Sequence, residues 1–98
     1  MIEVIETVEF AQWFARLRDR NAKARILIRI RRLSLGNFGD VSPVGEGVSE
    51  LRIHSGPGYR VYLVQRGDEL VILLGGGDKS SQARDIASAK ALARRLQD

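Results

Sequence analysis

Three strand-like runs crowded into residues 50–74 limit the folds open to this chain more than any other feature. In ELRIHS, Leu51 and Ile53 fall on one side and Arg52 and His54 on the other. In YRVYLVQR, Tyr59, Val61 and Leu63 oppose Arg60, Tyr62 and Val64. Both runs therefore carry the two-residue period of a half-buried strand. ELVILL is apolar throughout, which predicts a strand covered on both faces and central in its sheet. Gly56-Pro57-Gly58 separates the first two runs, and Arg66-Gly67-Asp68 predicts a hairpin turn between the second and third. Strands joined this tightly pair antiparallel.

The flanking segments supply helices. Ile2, Val4 and Ile5 make a short first strand, and Thr7 is a helix N-cap with Glu9 in the first turn. Phe10, Trp13, Phe14 and Leu17 follow at amphipathic helical spacing and read as core. Asn21 opens a second helix that ends at Gly36 in the C′ position. Ile26, Ile28 and Ile30 partly imitate a strand, but length, punctuation and the stripe of Ile26, Ile30 and Leu33 favour helix. The glycine-rich stretch 36–49 is a loop with one brief extended piece near Val41. After the third run, Gly75-Gly76-Gly77 reads as a turn. Ser80 or Ser81 then caps a last helix that packs through Ile86, Ala89, Leu92, Ala93 and Leu96. The order β-α-α-β-β-β-α gives an α+β domain over residues 1–98, an antiparallel sheet with an N-terminal helical hairpin and a C-terminal helix.

Charge placement narrows the partners. The net charge is +4, and residues 40–98 are balanced at eight bases and eight acids. The excess therefore lies in the N-terminal part, at Arg16, Arg18, Arg20, Lys23, Arg25, Arg29, Arg31 and Arg32. Such a cluster suits a polyanion or an acidic protein partner; the plainer reading is a solvated helix face. The chain has no cysteine, which removes disulfides and thiolate metal sites and favours a reducing, cytoplasmic setting. MIEVIETVEF carries acids where a signal peptide carries bases, and no apolar run reaches the ~20 residues of a membrane span, so no membrane partner is expected.

Most catalytic kits are missing. His54 is the sole histidine, and the acids are scattered without the spacing of an EF-hand or a two-metal centre, so no metal or cofactor is expected. GGGDKS lacks the spacing of a P-loop or a dinucleotide-binding turn. What remains is a set of cations at strand ends. If Leu51, Ile53 and Val61 face the helical hairpin, then Arg52, His54, Arg60 and Tyr62 share the other, concave side of the sheet, with Lys79 just past the last strand. Metal-free phosphodiester cleavage needs such a set. Arg and Lys neutralise the charge growing on the phosphate, and a weaker group takes the proton of the RNA 2′-hydroxyl, leaving a cyclic phosphate. Tyr62 on that side is also a candidate RNA contact, stacking on a base; the simpler readings are a cross-strand ion pair for Arg52, a surface position for His54, and packing for Tyr59 and Tyr62. Arg60 resists the simple reading, because a charge opening the middle run is costly to bury without a purpose.

ELRIHSGPGYRVYL, followed by VILLGGGDKSSQARDIASAKALA, closely resembles the HigB-like addiction-module killer proteins of the RelE/ParE toxin superfamily. The element order matches that family along the whole chain. The resemblance implies a bacterial type II toxin, a ribosome-dependent mRNA endoribonuclease held in check by a cognate antitoxin, here a small helix-turn-helix protein. It implies that Arg60, from GPGYRVY, stabilises the scissile phosphate. Arg52 stands where relatives carry a basic or acidic functional residue, and Lys79 matches the basic residue after the last core strand. The chain departs from many RelE-like enzymes in having neither tyrosine nor histidine after Lys79. The general base is therefore open between His54 and a site that works through cations alone.

Two other classes stay in view. A ParE-like toxin shares the fold, inhibits DNA gyrase and cuts no RNA, with Arg60 structural. A non-catalytic module would use the basic cluster from Arg16 to Arg32 to hold rRNA or DNA through phosphate contacts, and a ribosome-dependent enzyme would need the same patch to dock on the ribosome.

Overall fold

The computed structural model describes residues 1–97. Its elements are β1 (Glu3–Glu6), α1 (Val8–Arg16), α2 (Arg20–Ser34), β2 (Val41–Gly45), β3 (Val48–Arg52), β4 (Arg60–Arg66), β5 (Leu70–Gly77), a 3₁₀ turn (Lys79–Ser81) and α3 (Gln82–Arg95). One five-stranded sheet has the order β1-β5-β4-β3-β2. The mixed α+β class is as the sequence predicts, with two corrections to the sheet. The extended piece at Val41 is a full edge strand, paired antiparallel with β3. β1 lies parallel to β5, from Glu3 opposite Leu70 to Glu6 opposite Leu73, so the sheet is not wholly antiparallel. The middle strand is accordingly β4, and β5 is covered on one flank by β1.

Local chemistry explains the helix ends. Thr7 Oγ1 accepts from the Phe10 amide at 3.1 Å, as its position predicts. The cap of α2 is Asp19, whose Oδ1 accepts from Ala22 N at 3.0 Å, so the expected Asn21 cap is displaced by two residues. α2 ends in a Schellman arrangement: Gly36 N donates to Leu33 O and Asn37 N to Arg32 O, both at 2.9 Å. Gly36 takes φ +94°, which a glycine adopts without steric cost. Ser81 stands at the N-cap position of α3, one of the two serines expected there, but without a capping hydrogen bond. Asp78 caps the preceding 3₁₀ turn, accepting from Ser80 N.

Each face of the sheet has its own core. The α1–α2 hairpin packs Phe10, Ile26 and Leu33 against Leu51, Val61, Leu63, Val71 and Leu73. α3 covers the other face, packing Ala89, Leu92 and Ala93 against Val48, Tyr62, Val64 and Leu74. Burial of one such large side chain contributes roughly 1.5–3 kcal/mol. The far face is therefore not an open concavity. Tyr62, expected there as an RNA contact, is wholly buried with α3 packed against it.

The triple glycine is strand, not turn, and close packing explains it. A Cβ on Gly76 would lie 2.4 Å from the Trp13 ring, and one on Gly77 would lie 1.8 Å from Asp85 Oδ2. Consecutive strand residues point to opposite faces, so the two glycines admit Trp13 of α1 on one side and Asp85 of α3 on the other.

Candidate active site

The site is built where the end of β3 meets the start of β4, beside the first residue of α3. Arg52 and Arg60 are direct cross-strand partners. Like charges placed so repel unless a counter-charge intervenes. Glu50, two residues earlier on β3 and only 3% exposed, is that counter-charge. Its Oε2 lies 3.3 Å from Arg52 Nε and its Oε1 3.3 Å from Arg60 Nε. Gln82, the first residue of α3, donates from Nε2 to the same Oε1 at 3.0 Å. The Arg60 Nε–H is close to the carboxylate but poorly aimed at it, so this contact is an ion pair without a directed hydrogen bond. Arg60 also donates from Nη1 to Gly58 O at 2.7 Å.

These contacts engage Nε and Nη1 of each guanidinium. The two Nη2 atoms enter none of the hydrogen bonds or ion pairs among the described residues. The buried Glu50 carboxylate balances one of the two guanidiniums, and Asp40, 3.8 Å from Arg52 Nη1, offsets part of the remaining charge from the rim. Both arginines line a cleft of about 420 Å³ together with His54, Ser55 and Tyr59. The arrangement suits a bidentate oxyanion such as a phosphate, which a planar fork recognises better than an ammonium does.

Lys79 reaches the same corner through the backbone. Its amide donates to Pro57 O at 3.3 Å. A Cβ on Gly58 would meet Arg60 Nη1 at 3.3 Å and Lys79 Cβ at 3.5 Å. Arg60 and Lys79 thus flank one glycine, and the GPG turn is the spacer that seats both. Asp78 fixes the turn carrying Lys79, accepting from Ser80 N at 2.8 Å and Ser80 Oγ at 2.5 Å. Those bonds hold its carboxyl below the ordinary range, with the nearby Arg60 charge adding to the effect.

His54 stands at the rim, its side chain 73% exposed, with Nε2 2.6 Å from Asp40 Oδ2. Asp40 Oδ1 lies 3.8 Å from Arg52 Nη1, so one carboxylate touches both the histidine and the arginine. His54 Nε2 is thereby engaged, while Nδ1 enters no hydrogen bond or ion pair among the described residues. Glu50, Asp40, Asp78 and Gln82 are the members that the sequence reading did not identify. For Glu50 a signal existed, because it shares the face of Arg52 by simple alternation.

The N-terminal cations divide into two groups. Arg16, Arg18, Arg20, Arg25, Arg31 and Arg32 are exposed, and Lys23 lies 5.1 Å above the Phe14 ring. Arg29 is spent on the fold: its guanidinium donates to the carbonyls of Phe38, Asp40 and Arg52. Burial lowers its pKa, offset in part by Asp40. Among the described residues no helix is long and apolar enough to cross a membrane.

The family model described as "Phage derived protein Gp49-like" matches residues 12–97. The chain belongs to the Gp49-like family. This is a RelE-like family of the addiction-module kind, so a toxin role paired with an antitoxin is the coarse functional class of this Gp49-like chain. An "Uncharacterized protein" of Haemophilus influenzae is 52% identical to it over 95 residues, covering 97% of this chain and 96% of that protein. No solved structure matches it.

Proposed function

We propose that this Gp49-like chain is the toxin of a bacterial type II module and acts as a HigB-like, ribosome-dependent endoribonuclease on mRNA. The observation that carries the reading is the pairing of Arg52 and Arg60 across two strands, both opening on one cleft, with Lys79 seated against the same turn. A phosphodiester in the cleft meets guanidinium edges whose other sides are already fixed by Glu50, so little ordering remains when the phosphate arrives. Charge developing on the non-bridging oxygens is met by fixed cations. His54 Nδ1 is the candidate base for the 2′-hydroxyl, with Asp40 orienting the ring through Nε2. Products would be a 2′,3′-cyclic phosphate and a 5′-hydroxyl. The exposed cations of α1, the α1–α2 turn and α2 supply contacts to ribosomal RNA, and the cellular setting of the reaction is the cytoplasm.

The ion pair between Arg60 and buried Glu50 favours a second reading, in which Arg60 is structural and the chain poisons DNA gyrase as ParE-like toxins do. Expression of the wild type, Arg60→Ala and Arg60→Lys in a bacterial host, with primer extension on translated mRNAs, separates the two. Codon-phased breaks in the wild type that disappear in both variants, while circular dichroism reports folded protein, support the nuclease. Growth arrest with intact mRNA and induced DNA damage, retained in the variants, supports the gyrase reading.

A further inference from the structure

Beyond Leu73, one flank of β5 has no strand beside it. β1 accompanies β5 only as far as Glu6 opposite Leu73. There the chain turns away, and Thr7 N and Thr7 Oγ1 both donate to Leu73 O, at 3.1 and 2.8 Å. Gly75–Gly77 keep β4 on their other flank, with Leu74 the extra residue where the β4–β5 register shifts. At this open edge lies a cleft of about 330 Å³, with Glu9 and Trp13 of α1 on one wall, Asp85, Ser88 and Leu92 of α3 on the other, and Gly75 and Gly76 between them.

A second, independent observation points into the same cleft. Tyr62 is 0% exposed and lines it, and its hydroxyl has no hydrogen-bond partner among the described residues. A buried hydroxyl ordinarily finds an acceptor, and this one has none among the described residues.

We propose that this cleft receives an extended segment of a partner polypeptide, which adds to β5 as a strand beside Leu74–Gly77 and accepts a hydrogen bond from the Tyr62 hydroxyl. Strand addition is the mode that satisfies an open sheet edge, because backbone groups on both chains then find partners. Gly75 and Gly76 carry no side chain to hold a second backbone away. The four free residues match the length of edge that β1 itself covers. Trp13, Leu74 and Leu92 offer apolar walls for alternate side chains of the incoming segment.

The electrostatics choose a peptide over nucleic acid. The cleft holds the carboxylates of Glu9 and Asp85, and its one cation, Arg95, is paired with Glu9 at 3.6 Å. Phosphates are repelled here, in contrast to the rest of this basic chain. The fitting segment is apolar at alternate positions and carries lysine or arginine rather than acids. It would end beside Gly77, the cross-strand partner of Arg60, so its presence is felt at the candidate active site. The inference stands on the fold and the cleft and does not require that the chain cleave RNA.

The test uses the full chain, isotope-labelled for NMR, and the blocked peptide acetyl-Lys-Val-Thr-Val-Thr-Lys-amide at up to roughly millimolar concentration. The expected result is shifted resonances and slowed hydrogen exchange at Gly75, Gly76 and Gly77. Methylating alternate peptide nitrogens should abolish binding, Tyr62→Phe should weaken it about fivefold to tenfold, and Ser88→Trp, on the exposed wall, should block it. No binding at that concentration overturns the proposal. So does binding indifferent to N-methylation, equal affinity in Tyr62→Phe, or the same pattern of shifts from a short oligouridine.

Discussion

Arg52 and Arg60 face each other across β3 and β4, and the buried Glu50 holds both by their Nε edges. The triplet is a structural unit before it is a chemical one. Removing its single carboxylate leaves two guanidiniums in mutual repulsion beside an unpaired Gln82 amide.

Glu50→Ala is therefore expected to destabilise the protein by about 3–5 kcal/mol, the usual cost of orphaning buried charge. Glu50→Gln, which keeps the shape and one acceptor, should cost less. Urea unfolding of both variants measures the difference. If Glu50→Ala unfolds at the wild-type midpoint, the triplet contributes nothing to stability.

Arg29 offers a sharper stability test, because its role is wholly backbone-directed. Its guanidinium ties α2 to the carbonyls of Phe38, Asp40 and Arg52. Arg29→Met retains most of the aliphatic stem and loses every one of these bonds. The expected loss is about 3 kcal/mol, on the scale of charge-assisted bonds to buried carbonyls. For a domain of this size that lowers the melting temperature by roughly 12–24 °C. Arg25→Met or Arg32→Met, on the exposed surface, should leave the melt unchanged.

Alkali should act through Tyr62. Burial, followed by the charges of Glu50 and Asp85, pushes its phenol from 10.0 up to about 12. The folded value lies above the unfolded one, so the neutral ring's contribution to stability is complete below pH 10.0 and is lost as the pH climbs through about 12. Tyr62→Phe should unfold with a flatter alkaline profile. Near neutrality it should match or exceed wild-type stability, because it removes a buried hydroxyl without a partner. Guanidinium melts at several alkaline pH values provide the comparison.

Gly76→Ala should be felt in the fluorescence of Trp13, the one tryptophan of the chain. Its new Cβ would sit 2.4 Å from the indole, so the ring must move. A displaced indole emits further to the red, and a cost of about 1–3 kcal/mol is expected from overpacking. Unchanged emission would mean that the glycine is not there to admit the ring.

Much of this fold is legible in the sequence, and the illegible parts share a cause. β3, β4 and β5 announce themselves through alternation, continuous apolarity and tight turns, all of which are local. β2 does not, because Val41–Gly45 includes a proline and a glycine and only two large apolar residues; such a segment becomes a strand at a sheet edge when a neighbour offers the pairing. The parallel partnership of β1 and β5 leaves no mark on either strand, because it is decided by how the hairpin of helices folds over. The same limit applies to α3. Its apolar stripe says that it packs, without saying that it packs on the face bearing Tyr62. The alternation that groups Arg52 with Arg60 equally groups them with Glu50, yet an acid in a strand ordinarily reads as solvent-exposed. Its burial becomes intelligible only when β4 delivers a second guanidinium to the same carboxylate.

The parallel docking of Glu3–Glu6 against Leu70–Leu73 also bears on how the protein comes into being. Nearly the whole polypeptide must leave the ribosome before its first strand has anything to pair with, and contacts so remote in sequence are late to form. During synthesis the opening residues wait unpaired while the arginine-bearing strands are still being made. The sheet therefore closes on its β1 side only when translation is nearly complete.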